Sequence, residues 1–315
     1  MLSRTAEALF WIGRYVERAE DTARLLDVHF HDIIENPEID EGETCRIVAT
    51  VMGLHERPPV TAREVLDMLA FDADNPSSIV GSLGAARHNA RGVREALSAE
   101  IWECLNTTDL ELPRRVSAAR QFGPAPFFSF VRQRSAMLAG YVTSTISRDS
   151  GYDFLLLGRS LERVDMTARL LAAAVSAPDR DGTWLTTLRA CSAHEAYLRT
   201  YQRGVEVELV LEFLLLDRLF PRSVIHALTT GEGALTRLEP PAPRSGRNGR
   251  QDTARRVMGR VLADLEFLQL DQLQDRLPER LHRIERGMSE LSETVARKYF
   301  ATTPVMGWSL EESPR

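Results

Sequence analysis

Of the 39 Lys and Arg residues in this 315-residue chain, only one is a lysine, Lys298. A Schiff base, a pyridoxal-phosphate anchor or a phosphate-binding P-loop lysine would have to use it. It stands in "ARKYF" with no glycine-rich loop before it. Cysteine is nearly as scarce. Cys45, Cys104 and Cys191 lie far apart without a CxxC pair, which indicates neither a disulfide framework nor a zinc ribbon and fits a reducing cytoplasm. No apolar run approaches the ~20 residues that a bilayer demands. The most apolar stretch, "LVLEFLLLDRLF" at 209–220, is short and charged and predicts a buried helix. The opening "MLSRTAEALFWIGRYVERAED" lacks the apolar core and cleavage site of a signal peptide, so no export is expected. A formal charge of −6 supplies no extended positive field, which argues against a general nucleic-acid binder or an anionic-membrane binder. Strand-like alternation, a nucleophile elbow, a Cys/His dyad and a dinucleotide fingerprint are also missing. No catalytic centre is identified, and no cofactor is expected.

What the chain does have is a repeat. "WIGRYVERAEDTARLLD" (11–27) and "LLGRSLERVDMTARLLA" (156–172) stand 145 residues apart with nine of seventeen positions identical. Chance at average composition gives roughly one. The same offset joins "NPSSIVGSL" (75–83) to "FPRSVIHAL" (220–228), matching Pro76 with Pro221, Ser78 with Ser223 and Leu83 with Leu228. Two blocks at one offset imply duplicated halves, 1–148 and 149–300, packed as one continuous all-α multi-helix bundle, with 301–315 as a disordered tail carrying Trp308.

Ile12, Val16, Ala19, Ala23, Leu26 and Phe30 trace one helical stripe, and their counterparts Leu157, Leu161, Val164, Ala168, Leu171 and Val175 are all apolar. Proline followed by a polar residue and an apolar period predicts a helix start just after Pro76 and again after Pro221. Further helical periods cover 44–53, 61–70, 77–104, 127–148, 184–201, 205–219, 252–270 and 276–300. Breaks are expected at 35–43, at 120–126 and at the basic 239–250, read as a solvated linker.

On the repeated helix, Arg14, Glu17, Arg18 and Asp21 lie broadly opposite the apolar stripe and alternate in sign at i,i+3 and i,i+4 spacing. Arg159, Glu162 and Arg163 recur in the second copy, whereas Met166 replaces the Asp21 equivalent. Gly13, Arg14, Glu17 and Arg18 are retained while Trp11 and Tyr15 have drifted to Leu156 and Ser160. Retention of charge where neighbours drift points to a polar seam between repeats, with Arg14 and Arg159 its more accessible members, or else to a ligand or partner surface.

A second constellation, in "AARHNARGVREALSAEIWECLN" (85–106), sets Arg87, Arg91 and Arg94 at helical spacing with Asn89 alongside. Such a row can hold an external carboxylate or phosphate, or clamp Glu17 and Glu162. In "LLLDRLFPRS" (214–223), Asp217 and Arg218 interrupt an apolar run and predict a partly buried, hydrogen-bonded charge pair. Glu17 with Glu20, and Glu162 with Asp165, give paired carboxylates in both repeats. A di-metal oxidoreductase would also need Glu-x-x-His, which is missing, and arginines lie within a turn of each pair, so no metal is expected.

"LFWIGRYVERAEDTARLL", "NPSSIVGSLGAARHNARGVREALSAEIWECLN", "LLLDRLFPRSV" and "ARKYF" together resemble the bacterial alpha-E family, helical proteins named for a Glu-Arg motif. The motif falls on Glu17-Arg18 and Glu162-Arg163. Where the family tends to place Glu before "NAR", this chain has His88. The resemblance implies association with circularly permuted ATP-grasp proteins, and with transglutaminase-like peptidases, in a peptide-forming or peptide-modifying pathway. On that footing the expected role is an accessory or scaffold subunit. The alternative is an enzyme or small-molecule binder whose arginine-rich seam holds an amino-acid or peptide carboxylate.

Overall fold

A computed structural model describes residues 1–36, 38–54, 59, 61–177, 182–239, 253–268 and 272–300. The tail at 301–315 with Trp308, and the linker residues 240–250, lie outside the described residues. Among the described residues the chain is all-α, with thirteen α-helices and no strand. They are α1 (Ser3–Glu35), α2 (Glu41–Met52), α3 (Ala62–Val65), α4 (Ile79–Gly92), α5 (Ala99–Phe122), α6 (Ala125–Thr145) and α7 (Ser150–Ser176). The series continues with α8 (Thr183–Ala190), α9 (His194–Tyr201), α10 (Val207–Leu216), α11 (Val224–Leu238), α12 (Thr253–Glu266) and α13 (Leu277–Tyr299).

The long helices α1 and α7 pack on each other at the centre. α4 and α6 lie on α1, α11 and α13 lie on α7, and α2 and α8 touch both. This central position alters the expected burial. Ile12, Ala19, Ala23 and Leu26 are buried, but Val16 and Phe30 are only half-buried, and the opposite face with Glu17, Glu20 and Asp21 is buried as well. A helix surrounded by neighbours has no solvent face to give to its charges, so they must be neutralised inside.

The crossing is close because both helices carry glycine there. A Cβ on Gly13 would sit 2.1 Å from the Leu155 carbonyl oxygen, and one on Gly158 would sit 2.0 Å from that of Phe10. The two contacts are the same contact shifted by 145 residues. Backbone oxygens cannot rotate aside, so Gly13→Ala or Gly158→Ala must push the helices apart, at the top of the overpacking range, about 3 kcal/mol. Gly140 in α6 meets nothing within 4 Å. There alanine's better helix propensity acts alone, so Gly140→Ala should stabilise by up to about 1 kcal/mol. Denaturant melts of the three variants check the opposed signs.

The two helix starts expected after the prolines are present. Ser78 caps α4, its Oγ accepting from Gly81 N at 2.9 Å, and Ser223 caps α11, accepting from His226 N at 3.2 Å. Each hydroxyl also donates to a carbonyl six residues back, that of Asp72 and that of Asp217.

Two predicted helices are broken. The period over 77–104 stops at Gly92, passes through a short 3₁₀ turn at Arg94–Ala96 and restarts as α5 when Ser98 accepts from Ile101 N. The period over 184–201 is interrupted at Ser192, whose φ of 55 ends α8 before α9 begins. The apolar run at 209–220 forms α10 with Val210, Leu211, Phe213, Leu214 and Leu215 buried, but it ends before Asp217 and leaves Leu219 exposed.

Candidate functional site

Because α1 and α7 cross on their glycines, the charged turns that follow each glycine face the other helix. Arg14 Nε donates to Glu162 Oε2 at 2.6 Å and Arg18 Nε to Glu162 Oε1 at 2.5 Å. Arg159 Nε donates to Glu17 Oε2 at 3.1 Å and Arg163 Nε to Glu17 Oε1 at 2.6 Å. Each glutamate of one helix thus takes two arginines from the other, atom for atom. Arg18 and Arg163 also reach the Pro76 and Pro221 carbonyls, at 3.4 and 3.1 Å, tying each central helix to the loop before α4 or α11.

The charges that alternate along each helix are thus neutralised by the facing helix and not by one another. Glu17 and Glu162 pair across the seam. The pairs that do run along a helix are Glu20 with Arg24 at 2.7 Å and Asp165 with Arg169 at 2.9 Å, again 145 apart. The accessibility expectation is half corrected. Arg159 is the more open of its pair, at 29% against 11% for Arg163, but Arg14, at 12%, is less exposed than Arg18, at 18%. Arg14 is covered because its NH1 donates to Ser292 of α13 and its guanidinium lies over the Trp11 ring. Arg18 lies over Tyr15, so the two aromatics absent from the second copy press on the arginines of the first.

One member of the seam escaped the sequence reading. Arg222 contacts Asp21 Oδ1 at 2.5 Å, Glu20 Oε1 at 2.6 Å and Glu17 Oε1 at 3.2 Å. Its equivalent 145 residues earlier is Ser77, and the equivalent of Asp21 is Met166, so the pair replaces a neutral couple and the repeat gave no signal for it.

Burial by itself raises the Glu17 carboxyl, but Arg163, Arg222 and Arg159 outweigh it and hold the group far below the usual carboxylate range. Glu162 is lowered in the same way, with Arg14 and Arg18 overcoming its burial. Asp21 goes the other way. Burial pushes it up to about 7, with Glu17 and Glu20 adding to the rise, and its single contact to Arg222 does not compensate. Its second oxygen, Oδ2, has no hydrogen-bond partner.

The other candidates do not join the seam. Arg87 donates to Asn106 at 3.0 Å and lies 3.4 Å from Asp109. Asn89 donates to the Ala85 carbonyl, Arg91 is exposed, and Arg94 stacks over Trp102. Among the described residues none clamps Glu17 or Glu162, because α4 turns this face towards α5 instead. Asp217 and Arg218 do not pair with each other. Asp217 Oδ1 accepts from the amides of Leu219 and Phe220, closing the turn after α10, and the exposed Arg218 bridges to Glu266 at 3.0 Å. Among the described residues no group of three His, Cys, Asp or Glu side chains is placed to share a metal ion, and no helix is long and apolar enough to cross a membrane.

The sequence profile of the Alpha-E family, described as a predicted alpha-helical domain with a conserved ER motif, matches residues 1–300. Proteins of Mycobacterium bovis and Mycobacterium tuberculosis, each described as uncharacterised, are 27% identical over 252 residues, covering 71% of this chain and 28% of theirs. The chain thus corresponds to under a third of the length of these relatives. No solved structure matches it.

Proposed function

We propose, from the premise that the chain belongs to the Alpha-E family, that it is a cytoplasmic, non-catalytic scaffold subunit of a peptide-forming or peptide-modifying system built around a circularly permuted ATP-grasp ligase. The observation that carries this reading is the self-sufficiency of the Glu-Arg motif. All four arginines of the two motif turns are spent on Glu17 and Glu162 of the chain itself. The competing reading, an amino-acid or peptide carboxylate held in the seam, needs the place those two glutamates occupy. A di-metal centre at Glu20 or Asp165 meets Arg24, Arg222 and Arg169 instead of imidazoles. The small share of the mycobacterial relatives that the chain covers also suits a module that works beside other domains. We infer further that 1–148 and 149–300 descend from one repeat, since the 145-residue offset governs sequence identity, helix starts and ion pairs alike. The role of a transglutaminase-like peptidase in the same system is part of this proposal.

The test is co-expression of the chain with the ATP-grasp protein of its own cell. A stable complex on gel filtration, and ligase turnover that rises when the chain is added while the chain alone consumes no ATP, are expected. Failure to associate, or ATP consumption by the purified chain alone, would overturn the reading.

A further inference from the structure

Away from the seam, a cavity of about 500 Å³ opens between the ends of α1 and α7, the start of α2 and helix α8. It is within the ~300–1,000 Å³ usual for small-molecule sites. Its lining divides by chemistry. Among the described residues, Ile47, Val51 and Leu170 make an apolar wall, while Asp32, Glu35 and Glu38 contribute carboxylates against one guanidinium, that of Arg189. The charge balance disfavours an anion, and the apolar wall favours an organic ligand over a bare ion.

His29 also lines the cavity, and it is buried, with 8% of its surface exposed. Its Nδ1 lies 2.9 Å from the Leu25 carbonyl, which can only accept, so Nδ1 carries the proton. Burial pushes the imidazole down from its ordinary value, which keeps it neutral near pH 7. Nε2 is then a bare acceptor. It has no hydrogen-bond partner among the described residues and is not among the fully sealed atoms, on a side chain that lines the cavity. One turn further along α1, Asp32 accepts from Thr186 Oγ1 at 2.8 Å through Oδ2, and its Oδ1 lies 4.0 Å from Arg189, a loose pair that leaves carboxylate charge for a ligand.

We propose that this cavity binds a small primary amine in its ammonium form, with one N–H donated to His29 Nε2, the charge met by Asp32 with Glu35 and Glu38, and the apolar part against Ile47, Val51 and Leu170. An ammonium supplies several donors and a positive charge to a site that offers acceptors and negative charge. The inference does not rest on the scaffold reading, since the site shares no residue with the seam.

Leucinamide and N-acetyl-leucinamide are the probes, the first mostly a cation near pH 7 and the second neutral, with the same side chain and one added acetyl group. With full-length chain labelled in its histidine nitrogens, the free protein should show His29 as the Nδ1–H tautomer. Leucinamide should bind saturably and shift the Nε2 resonance, and the acetylated form should bind at least about tenfold more weakly. Asp32→Asn should lose about tenfold of the leucinamide affinity; should that variant not fold, the exposed Glu38→Gln should lose about threefold. An Nε2–H tautomer in the free protein, equal binding of the two probes, no saturation by ~10 mM leucinamide, or undiminished binding by both carboxylate variants would each overturn the proposal.

Discussion

Glu17→Gln should lower the melting temperature by about 5–8 °C at neutral pH. The substitution preserves shape and removes the one carboxylate that three guanidiniums share: Arg159, Arg163 and Arg222. Glu17 is 2% exposed, so water cannot replace it. Breaking such a buried pair costs about 3–5 kcal/mol, against a total stability of about 5–15 kcal/mol for a typical protein. At about 2.1 cal/mol/K of unfolding entropy per residue, each kcal/mol moves the midpoint of a chain this long by roughly 1.5 °C. The pH dependence has a definite sign. A carboxyl whose folded value is depressed contributes its stability above its unfolded value near 4 and loses it as pH falls towards the folded value. The gap between parent and Glu17→Gln should therefore narrow in acid. Scanning calorimetry between pH 3 and pH 7 (range set by the ~4 reference value) reads both effects, and superimposable melts at neutral pH would return the motif to an ordinary solvated face.

Arg222→Ser should be about as damaging, by about 3–5 kcal/mol, for the opposite reason. It removes the ion-pair partner of Asp21, leaving only the more distant charge of Arg163, and leaves Glu20 with Arg24 alone. Serine and methionine are what the chain carries at the equivalent positions, Ser77 and Met166. Asp21→Met together with Arg222→Ser should therefore recover about 1–3 kcal/mol of the loss, the coupling expected of residues in one ionic network. Asp21 gives this cycle its own pH signature. Its folded value is raised to about 7, so the folded protein holds a proton that the unfolded chain releases near pH 4, and stability from this group falls across that interval. Without Arg222 the rise is greater, so Arg222→Ser should lose more at pH 8 than at pH 5, and the double variant should not. A cycle that closes additively at both pH values would mean that Arg222 acts through Glu17 and Glu20 and not through Asp21.

Features set by neighbours in the chain were legible before the structure was known. The helix starts after Pro76 and Pro221 are local, although Ser78 and Ser223, not the prolines, cap them, and so is the apolar spacing of Ile12, Ala19, Ala23 and Leu26. The breaks at 93–98 and 191–193 were not, because Val93, Leu97 and Ile101 continue the apolar period across a gap in the backbone. A residue such as Ser98 can lie inside a helix or begin a new one, and spacing does not distinguish the two. Within the seam, the repeat showed that Glu17 and Arg18 matter together with Glu162 and Arg163, but a periodicity argument knows only its own helix. It could offer no partner on the facing helix for Glu17 or Glu162, and the facing arginines it considered, those of 87–94, are not the ones that hold them. Arg222 lies after a proline in a turn, where neither periodicity nor repeat reports on it.

The cross-seam pairing also fixes when the fold can form. Glu20 and Arg222 are separated by 202 residues of chain, and Glu17 and Arg163 by 146. At the usual ~5–20 residues per second of synthesis, α1 leaves the ribosome roughly 10–40 s before the last of its counter-charges. For that interval these carboxylates lack the guanidiniums that neutralise them in the finished fold, so the helix at its centre is made well before it can be enclosed.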